Sequence, residues 1–250
     1  MRTLLVISIG AGHPDQVTVQ AIDALNQVDV FLVADKGPSS ADLVALRTEI
    51  CARHIRGSDY RVIQVPDPER DRSPSSYLDA VEEWHEARAA GYERIIAAET
   101  APDGVVAFLV WGDPSLYDST LRIVERIERR GTLAFDVSVV PGVSSVQVLA
   151  ARHRLVLNGI GEPITITTGR RLQEAVDAGR DNIVVMLDGD LTCGTLAGDW
   201  DIYWGANLGT PDEALVAGRL GDVRADIEAV RAQVKQSRGW VMDTYLLRRR

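Results

Sequence analysis

Residues 110–117 read Val-Trp-Gly-Asp-Pro-Ser-Leu-Tyr, and this stretch is the most informative guide to the fold. The apolar run at 105–109 before it predicts a buried strand, and the apolar spacing of 119–130 after it predicts a helix. A strand that ends in Gly112-Asp113-Pro114 places one carboxylate and bare backbone at the carboxyl edge of a sheet, where open α/β sheets bind small ligands. The stretch does not fit the usual phosphate-binding loops, so it points away from a nucleotide.

Outward from this stretch, the first half of the chain alternates short apolar runs with helical patterns. Strands are predicted at 4–9, 30–33, 62–65, 105–110 and 137–140, and helices at 18–25, 43–54, 77–90 and 119–130. Short buried strands separated by helices indicate parallel crossovers. Residues 1–143 are therefore predicted to form an N-terminal α/β domain with a mainly parallel, doubly wound sheet.

The pattern changes after Pro141-Gly142. Helices are predicted at 144–151 and 225–236, and strands at 164–168, 183–187, 202–204, 215–220 and 240–247. Because several of these strands are alternating or mixed in character, residues 144–250 are predicted to form a smaller C-terminal α+β domain with a mixed or antiparallel sheet. We expect Arg248-Arg249-Arg250 to be a frayed tail.

The composition is that of a globular protein and excludes several functions. The net charge of -9, from 36 acidic and 27 basic residues, argues against nonspecific nucleic-acid binding. No apolar run approaches the roughly 20 residues that span a bilayer, and no targeting segment is visible. Cys51 and Cys193 form no motif, and the four histidines lack metal-ligand spacing. We therefore expect a cytoplasmic protein with neither a disulfide nor a metal site.

The glycine-rich segment at 10–15 (GAGHPD) follows the first predicted strand and allows two interpretations. Glycines let a backbone approach a ligand, and Asp35 stands where a ribose-binding acid of a dinucleotide fold could lie. Against that interpretation, Asp15 occupies the position of a third glycine, and Pro14 removes an amide donor. The other interpretation is a tight turn with Asp15 as the helix N-cap.

Four separated segments together resemble the tetrapyrrole (corrin and porphyrin precursor) methyltransferase family. They are 10–15 (GAGHPD), 111–114 (WGDP), 141–145 (PGVSS) and 207–213 (NLGTPDE), and they are spread along nearly the whole chain. Segments 35–37, 42–47, 169–171 and 240–245 carry a narrower likeness to the branch of the family that deacetylates its precorrin. His13 and Pro14 depart from the family's usual first loop, where proline and then glycine are common.

The resemblance implies the two-domain tetrapyrrole methylase architecture, with S-adenosylmethionine bound in a cleft between the domains and leaving as S-adenosylhomocysteine. It also implies a homodimer that acts in aerobic cobalamin biosynthesis. The implied reaction converts precorrin-5 to precorrin-6A by methylation at C1 with release of acetate. The cofactor-binding residues implied by the resemblance are Trp111, Gly112, Asp113, Leu116, Ser144, Ser145, Met186, Leu208 and Gly209.

Several of these residues also have a purely structural interpretation. Asp113 could attract the cationic part of the cofactor, accept a hydrogen bond from its ribose, or cap the following turn. Met186 ends an apolar run and could be core filling. Ser144 and Ser145 could be plain helix N-terminal residues.

Precorrins carry many carboxylates, so an acidic protein that binds them should have a locally basic surface. Arginine's planar fork suits carboxylates, although solvated surface charge is the alternative for each candidate. The candidates for substrate binding are Lys36, Arg152, Arg154, Arg170 and Arg171, of which Arg170-Arg171 is the strongest pair.

Deacetylation would benefit from a general base and an oxyanion donor. His13, Asp15 and Tyr117 lie on the predicted loops and are the candidates, whereas the other histidines lie in helical runs and are interpreted as ordinary residues. Two alternatives stay open: a methyltransferase for another precorrin position or a related substrate, and a noncatalytic ligand-binding module.

Overall fold

The computed structural model describes residues 1–35, 41–68 and 77–250. This part of the chain divides into two compact units, unit 1 (Met1–Val143) and unit 2 (Ser144–Arg250). Each unit has its own sheet and its own buried core.

Unit 1 is built on a parallel sheet. Its strands are β1 (Arg2–Ser8), β2 (Val30–Asp35), β3 (Arg61–Pro66), β4 (Val105–Val110) and β5 (Phe135–Val140), and its helices are α1 (Val19–Leu25), α2 (Ala41–His54), α3 (Tyr77–Glu99) and α4 (Thr120–Arg130). The strand order is β3-β2-β4-β1-β5, and every pairing is parallel. The loops that follow these strands therefore all leave from the same edge of the sheet.

Helices cover both faces of this sheet, as the continuous apolar strands predict. Successive side chains of β1 point to opposite faces. Leu4 and Val6 pack in a core with α3 and α4, and Leu5 and Ile7 pack in a second core with α1 and α2. The predicted doubly wound sheet is confirmed.

Unit 2 has a mixed sheet in the order β6-β7-β10-β8-β9. The strands are β6 (Thr165–Thr168), β7 (Asn182–Met186), β8 (Trp200–Ala206), β9 (Ala214–Arg219) and β10 (Asp243–Arg249), and the helices are α5 (Ser145–His153), α6 (Leu172–Asp177) and α7 (Leu220–Arg238). Only β6 and β7 pair in parallel. The predicted mixed sheet is confirmed, and its core surrounds the fully buried Trp200, Trp204 and Tyr245.

The register of β10 brings several loops of unit 2 to one edge of the sheet. Thr244 pairs with Met186 at the end of β7, and Asp243 pairs with Ala206 at the end of β8. Because β10 runs antiparallel to both strands, the loops after β7 and β8 and the segment before β10 lie at this edge. The segment 207–213 starts there.

Several features differ from the sequence-based expectation. Helix α3 continues to Glu99 beyond Gly91, because Tyr92 and Ile96 supply buried residues for another two turns. Helix α6 was not predicted, since six residues give too little periodicity to detect.

The predicted frayed tail at 248–250 is wrong. Arg248 and Arg249 belong to β10, and the backbone amides of Arg249 and Arg250 donate to Asp181 and Asp199. These backbone hydrogen bonds hold the strand in the sheet, and they do not depend on the charge of its side chains. None of the helices in the described part of the chain is both long enough and apolar enough to cross a membrane.

Candidate functional site

The loops after β1, β4 and β5 in unit 1 are joined by hydrogen bonds. The amide of Gly112 donates to the carbonyl of Gly10 at 2.8 Å, which forms one isolated antiparallel bridge beyond the parallel pairing of β1 and β4. The hydroxyl of Ser8 donates to the carbonyl of Val140 at 2.7 Å. The backbone at the carboxyl edge is thus fixed in three adjacent strands, without help from a ligand.

Gly142 shows how closely these loops approach one another. A Cβ atom added at this position would lie 2.3 Å from Cβ of Ser8 and 2.5 Å from the carbonyl oxygen of Gly112. Both distances are far below van der Waals contact, so no larger residue fits without moving the backbone. Close packing therefore explains the glycine of the Pro141-Gly142 motif.

Asp113 links two of the loops through both of its carboxylate oxygens. Oδ1 accepts from the amide of Ser115 at 2.9 Å and from the Ser115 hydroxyl, and Oδ2 accepts from the amide of Gly142 at 2.9 Å. Burial alone would raise the pKa of Asp113, but these hydrogen bonds outweigh it and lower the pKa below the ordinary value. Asp113 is an ionised carboxylate that shapes the turn.

The first loop has a different capping arrangement from the one predicted. His13, not Asp15, caps the short 3-10 turn Pro14–Gln16, because its Nδ1 accepts from the amide of Asp15 at 3.1 Å. Helix α1 is capped by Thr18. The carboxylate of Asp15 instead pairs with Arg53 at 2.5 Å, and all three side chains of His13, Asp15 and Arg53 are about half exposed.

Tyr117 lies on the loop after β4 with backbone φ of 52°, in the left-handed region. This conformation is uncommon for a tyrosine and costs about 1 kcal/mol or more, which surrounding contacts must offset. The ring is 45% exposed. Leu116, one residue earlier, is only partly exposed, and its amide donates to the carbonyl of Asp113.

In unit 2, two of the predicted serines have structural partners. Ser144 is the N-cap of α5 in a capping box, where its hydroxyl accepts from the amide of Val146 and Gln147 accepts from the amide of Ser144. The hydroxyl of Thr244 donates to the hydroxyl of Ser145 at 2.9 Å. The helix N-terminal interpretation therefore holds for Ser144, while Ser145 joins α5 to the start of β10.

Met186 and the Leu208-Gly209 loop lie at the edge where β10 begins. Met186 is partly exposed, whereas Ile183 and Val185 of the same strand are fully buried, so core filling is not its whole role. The amide of Gly209 donates to Glu213 at 2.7 Å, and Arg152 pairs with the same carboxylate at 2.5 Å. Arg152 thus supports this loop.

Asn207, immediately before that loop, is fully buried and has a left-handed φ of 48°. Its Oδ1 accepts from the amide of Met242 at 2.9 Å. Its Nδ2 is buried and has no hydrogen-bond partner among residues 1–35, 41–68 and 77–250. A buried donor without a partner is costly, so this atom marks a place where a ligand acceptor would be favourable. In the sequence, Asn207 stands out only as part of the segment 207–213.

The predicted basic residues have varied surroundings. Arg170 and Arg171 lie in a short 3-10 turn after β6, both exposed, and Arg171 pairs with Glu174 at 2.7 Å. Arg154 is exposed at the C-cap of α5, with a left-handed φ of 55°. Lys36 lies outside the described residues. In the described part of the chain, no group of three or more His, Cys, Asp and Glu side chains could hold a metal ion.

Comparison with known proteins places these features in a family. The sequence profile of the tetrapyrrole (corrin/porphyrin) methylases matches residues 3–224. The precorrin-6A synthase (deacetylating) of Sinorhizobium sp is 45% identical over 250 residues, which is 100% of this chain and 96% of the relative.

Two solved structures show the same fold. A cobalamin-synthesis-related protein (CobF) of Corynebacterium diphtheriae superposes with a TM-score of 0.86 at 42% identity, covering 99% of this chain and 98% of that chain. A uroporphyrin-III C-methyltransferase of Thermus thermophilus, crystallised with S-adenosylhomocysteine, has a TM-score of 0.59 at 18% identity and covers 98% and 91%. This chain belongs to the tetrapyrrole (corrin/porphyrin) methylase family.

Proposed function

We propose that this protein is an S-adenosylmethionine-dependent C-methyltransferase of aerobic cobalamin biosynthesis that converts precorrin-5 to precorrin-6A, with methylation at C1 and release of acetate. The observation that carries the proposal is the 45% identity to a deacetylating precorrin-6A synthase along the whole chain. Relatives that methylate other precorrin positions are less similar; the cobalt-precorrin-2 C(20)-methyltransferase of Methanocaldococcus jannaschii is 25% identical.

The residues present fit S-adenosylmethionine as the cofactor. That molecule has no phosphate, and the loop at 10–15 lacks the third glycine of a pyrophosphate-binding turn. The buried Nδ2 of Asn207 has no partner among the described residues and is a suitable donor to an acceptor on the cofactor. When bound, the cofactor supplies a methyl group activated by a sulfonium. We propose that the cofactor is bound by the backbone of Trp111, Gly112 and Asp113, together with Leu116, Ser144, Ser145, Met186, Leu208 and Gly209.

Methyl transfer requires positioning more than covalent help from the protein. We assign Asp113 a positioning role, because both carboxylate oxygens are used to hold the loops at 112–115 and 141–142. The Gly10 to Gly112 bridge and the close packing at Gly142 keep the same backbone rigid. Glu213 does the same for Gly209. These groups bind and orient, and none of them needs to change its protonation state.

Deacetylation is a separate step: a base takes a proton from the water that adds to the acetyl carbonyl, the bond from that carbon to the substrate breaks, its electron pair stays on the substrate carbon, and acetate leaves. Because Nδ1 of His13 accepts the Asp15 amide, the neutral ring carries its proton on Nε2 and is an N–H donor. We therefore propose His13 as an oxyanion donor and not as the base. Asp15, whose carboxylate Arg53 orients, is the candidate base, and Tyr117 is the candidate second donor.

The test is incubation with precorrin-5 and methyl-labelled S-adenosylmethionine, with the product mass and the released acetate measured together. We expect incorporation of one labelled methyl group together with acetate. Methyl transfer without acetate would favour a different precorrin position, and cofactor binding without any turnover would favour the noncatalytic module. Asp113→Ala should weaken turnover, and Asp23→Ala, an exposed position on α1, is the control.

The role of His13 is tested by following the two products separately. His13→Ala should slow acetate release by about 100-fold, the usual effect of losing one oxyanion donor, with a smaller effect on methyl transfer. His13→Gln keeps an N–H donor and should recover part of the rate. Equal rates for His13→Ala and the wild-type protein would remove His13 from the mechanism.

We also propose a homodimer in the cytoplasm with precorrin-5 as the small-molecule partner. The homodimer rests on the family resemblance. The location is supported by Cys51 and Cys193, which are both buried free thiols and suit a reducing compartment. Sedimentation equilibrium of the purified protein and fractionation of the source cells would test these two statements.

A further inference from the structure

A second feature of unit 1, which we call the arginine cavity, lies at the carboxyl ends of β2 and β4. Its volume is about 150 Å³, and it is lined by strand residues 32–34 and 108–111, by Arg47 of α2, by Arg88 and Tyr92 of α3, and by residues 118–120 at the start of α4. At about 30 Å³ per water molecule, the cavity has room for a small polar group of several heavy atoms.

Two nitrogen donors in the lining are buried without a hydrogen-bond partner in the described part of the chain. They are Nε of Arg47 and the indole Nε1 of Trp111. The guanidinium of Arg47 lies over the Trp111 ring, 5.4 Å from its centroid, so the two groups are held together. Buried donors are normally satisfied, and two such donors on residues that line one cavity favour an acceptor bound there.

Arg88 adds a second guanidinium whose position is fixed. Its side chain is 8% exposed, its Nε lies 2.8 Å from Oδ1 of Asp67, and it stacks on Trp84 at 4.4 Å. Its NH1 reaches the hydroxyl of Ser119 at 3.4 Å. Ser119 precedes α4 and makes no side-chain cap hydrogen bond.

The cavity lining carries two guanidinium groups, of Arg47 and Arg88, and one carboxylate, of Asp118. Burial lowers the pKa of Arg47, and the nearby carboxylate of Asp118 opposes that change. Asp118 accepts from the amide of Thr120 at 2.6 Å, and no carboxylate in the described residues forms an ion pair with Arg47. A guanidinium stays protonated in proteins, so a desolvated one gains most from an added acceptor.

We propose that the arginine cavity binds a carboxylate carried on a short aliphatic chain, held by Arg47, Arg88 and the indole N–H of Trp111. The forked guanidinium geometry matches a carboxylate in shape and charge. The identity of the ligand rests on the proposed function, in which two sources share this chemistry: a carboxylate side chain of the precorrin, or the acetate that is released. Neither Arg47 nor Arg88 was among the basic residues expected from the sequence.

The first experiment does not depend on turnover. Carbon-13-labelled propionate is titrated into the wild-type protein, Arg47→Met and Arg94→Met, and binding is followed by NMR. Arg94 is exposed on the same helix as Arg88 and serves as the control. We expect saturable binding to the wild-type protein and Arg94→Met, and affinity about 10- to 100-fold weaker for Arg47→Met. Equal binding by Arg47→Met, or no saturable binding to the wild-type protein, would overturn the proposal.

A second variant guards against a folding defect. Trp111→Phe keeps an aromatic ring beneath Arg47 while it removes the indole N–H and makes the side chain smaller, so it should weaken propionate binding about 3- to 10-fold. Unchanged affinity in a folded Trp111→Phe protein would remove the indole from the site.

Kinetics with precorrin-5 identify the source of the carboxylate. If it is a side chain of the substrate, Arg47→Met raises KM for precorrin-5 about tenfold or more and leaves the affinity for S-adenosylmethionine unchanged. If it is released acetate, KM is unchanged and inhibition by added acetate weakens. A wild-type protein that binds propionate but does not use precorrin-5 would refute the proposed function and leave the carboxylate site standing.

Discussion

The two units gather their candidate residues at one edge of a sheet by different means. In unit 1 the loops after parallel strands are joined by one backbone bridge, by Ser8 and by Asp113, and they pack so closely that only glycine fits at the nearest approach. In unit 2 the corresponding edge of a mixed sheet is held mainly by side chains, including Arg231, Asp243, Glu213 and Ser145. Unit 1 should therefore be sensitive to added volume, and unit 2 to the loss of a polar partner.

The largest expected effect is in unit 2, at the ion pair of Arg231 and Asp243. Nε of Arg231 lies 2.7 Å from Oδ2 of Asp243, whose side chain is 1% exposed. Arg231→Met leaves that carboxylate buried without its partner and should lower the free energy of unfolding by about 3–5 kcal/mol. Denaturation in urea measures this change.

A matched control lies on the same helix. Arg224 pairs with Glu228 at 2.8 Å, but both side chains are about half exposed. Arg224→Met should therefore cost less than about 1 kcal/mol. Equal losses for the two variants would contradict the idea that unit 2 depends on its buried polar partners.

The free energy of unfolding should also depend on pH through the ionisation of Asp243. Burial is the largest influence on this carboxyl and raises its pKa above the ordinary value, although Arg231 lowers it. Because the pKa of Asp243 is higher in the folded state than in the unfolded state, protonation of this carboxyl favours the folded protein. That stabilisation is complete below the unfolded pKa and is lost as the pH rises through the folded pKa. The deficit of Arg231→Met should shrink as the pH is lowered from about 7 towards about 4.

The next effect tests unit 1 with the smallest possible addition. Gly142→Ala places Cβ where Ser8 and the carbonyl of Gly112 already lie, so the loops must separate. We expect a loss of about 2–3 kcal/mol in unfolding free energy and weaker binding of S-adenosylmethionine in calorimetry. Gly57→Ala is the control because nothing lies within 4 Å of its added Cβ. A stable Gly142→Ala protein with normal cofactor affinity would show that the close approach is not required.

A smaller effect is expected at Asp113, the side chain that unit 1 uses between its loops. Asp113→Asn puts an amide donor against the N–H groups of Ser115 or Gly142 and should cost about 1–2 kcal/mol at neutral pH. Because the pKa of Asp113 is lowered, its stabilisation is present above the unfolded value of about 3.9 and is lost as pH falls through the folded pKa. At neutral pH the Asp113→Asn variant should therefore have a lower free energy of unfolding than the wild-type protein, but this free energy should fall less steeply as the pH is lowered.

The control for this change is Asp136→Asn, an exposed position on β5. It should leave both the stability and its acid dependence unchanged within about 0.5 kcal/mol. If Asp113→Asn behaved like Asp136→Asn, the carboxylate would not be holding the loops.

Local patterns predicted most of the fold because the apolar runs are clear. The strand predicted at 105–110 is found as Val105–Val110, and the helix predicted at 18–25 begins one residue later, after its cap Thr18. The family resemblance is confirmed, and it supplied the candidate residues. Asp15 was wrongly expected to be an N-cap, because short-range patterns do not show that Arg53, from another helix, takes its carboxylate.

Contacts between distant segments were beyond local patterns. The motif at 112–114 indicated that Asp113 stands at a strand end, but nothing nearby in the chain identified Gly142 as its partner. Arg47 and Arg88 are spaced like ordinary helix residues, and only the order of the strands brings α2 and α3 to Trp111. The sequence shows which residues are charged, but it does not show which of those charges are buried.

The smallest effect on stability concerns the basic residues after β6 in unit 2. Arg171 and Glu174 form an exposed pair at 2.7 Å, three residues apart, so Arg171→Ala should change the unfolding free energy by less than about 0.5 kcal/mol. A substrate-binding arginine would nevertheless raise KM for precorrin-5, while a solvated one would not. Glu174→Ala is the control, since it breaks the same pair and keeps the arginine. A raised KM for Arg171→Ala alone would extend the carboxylate-binding surface to unit 2, and equal KM values would limit it to the arginine cavity.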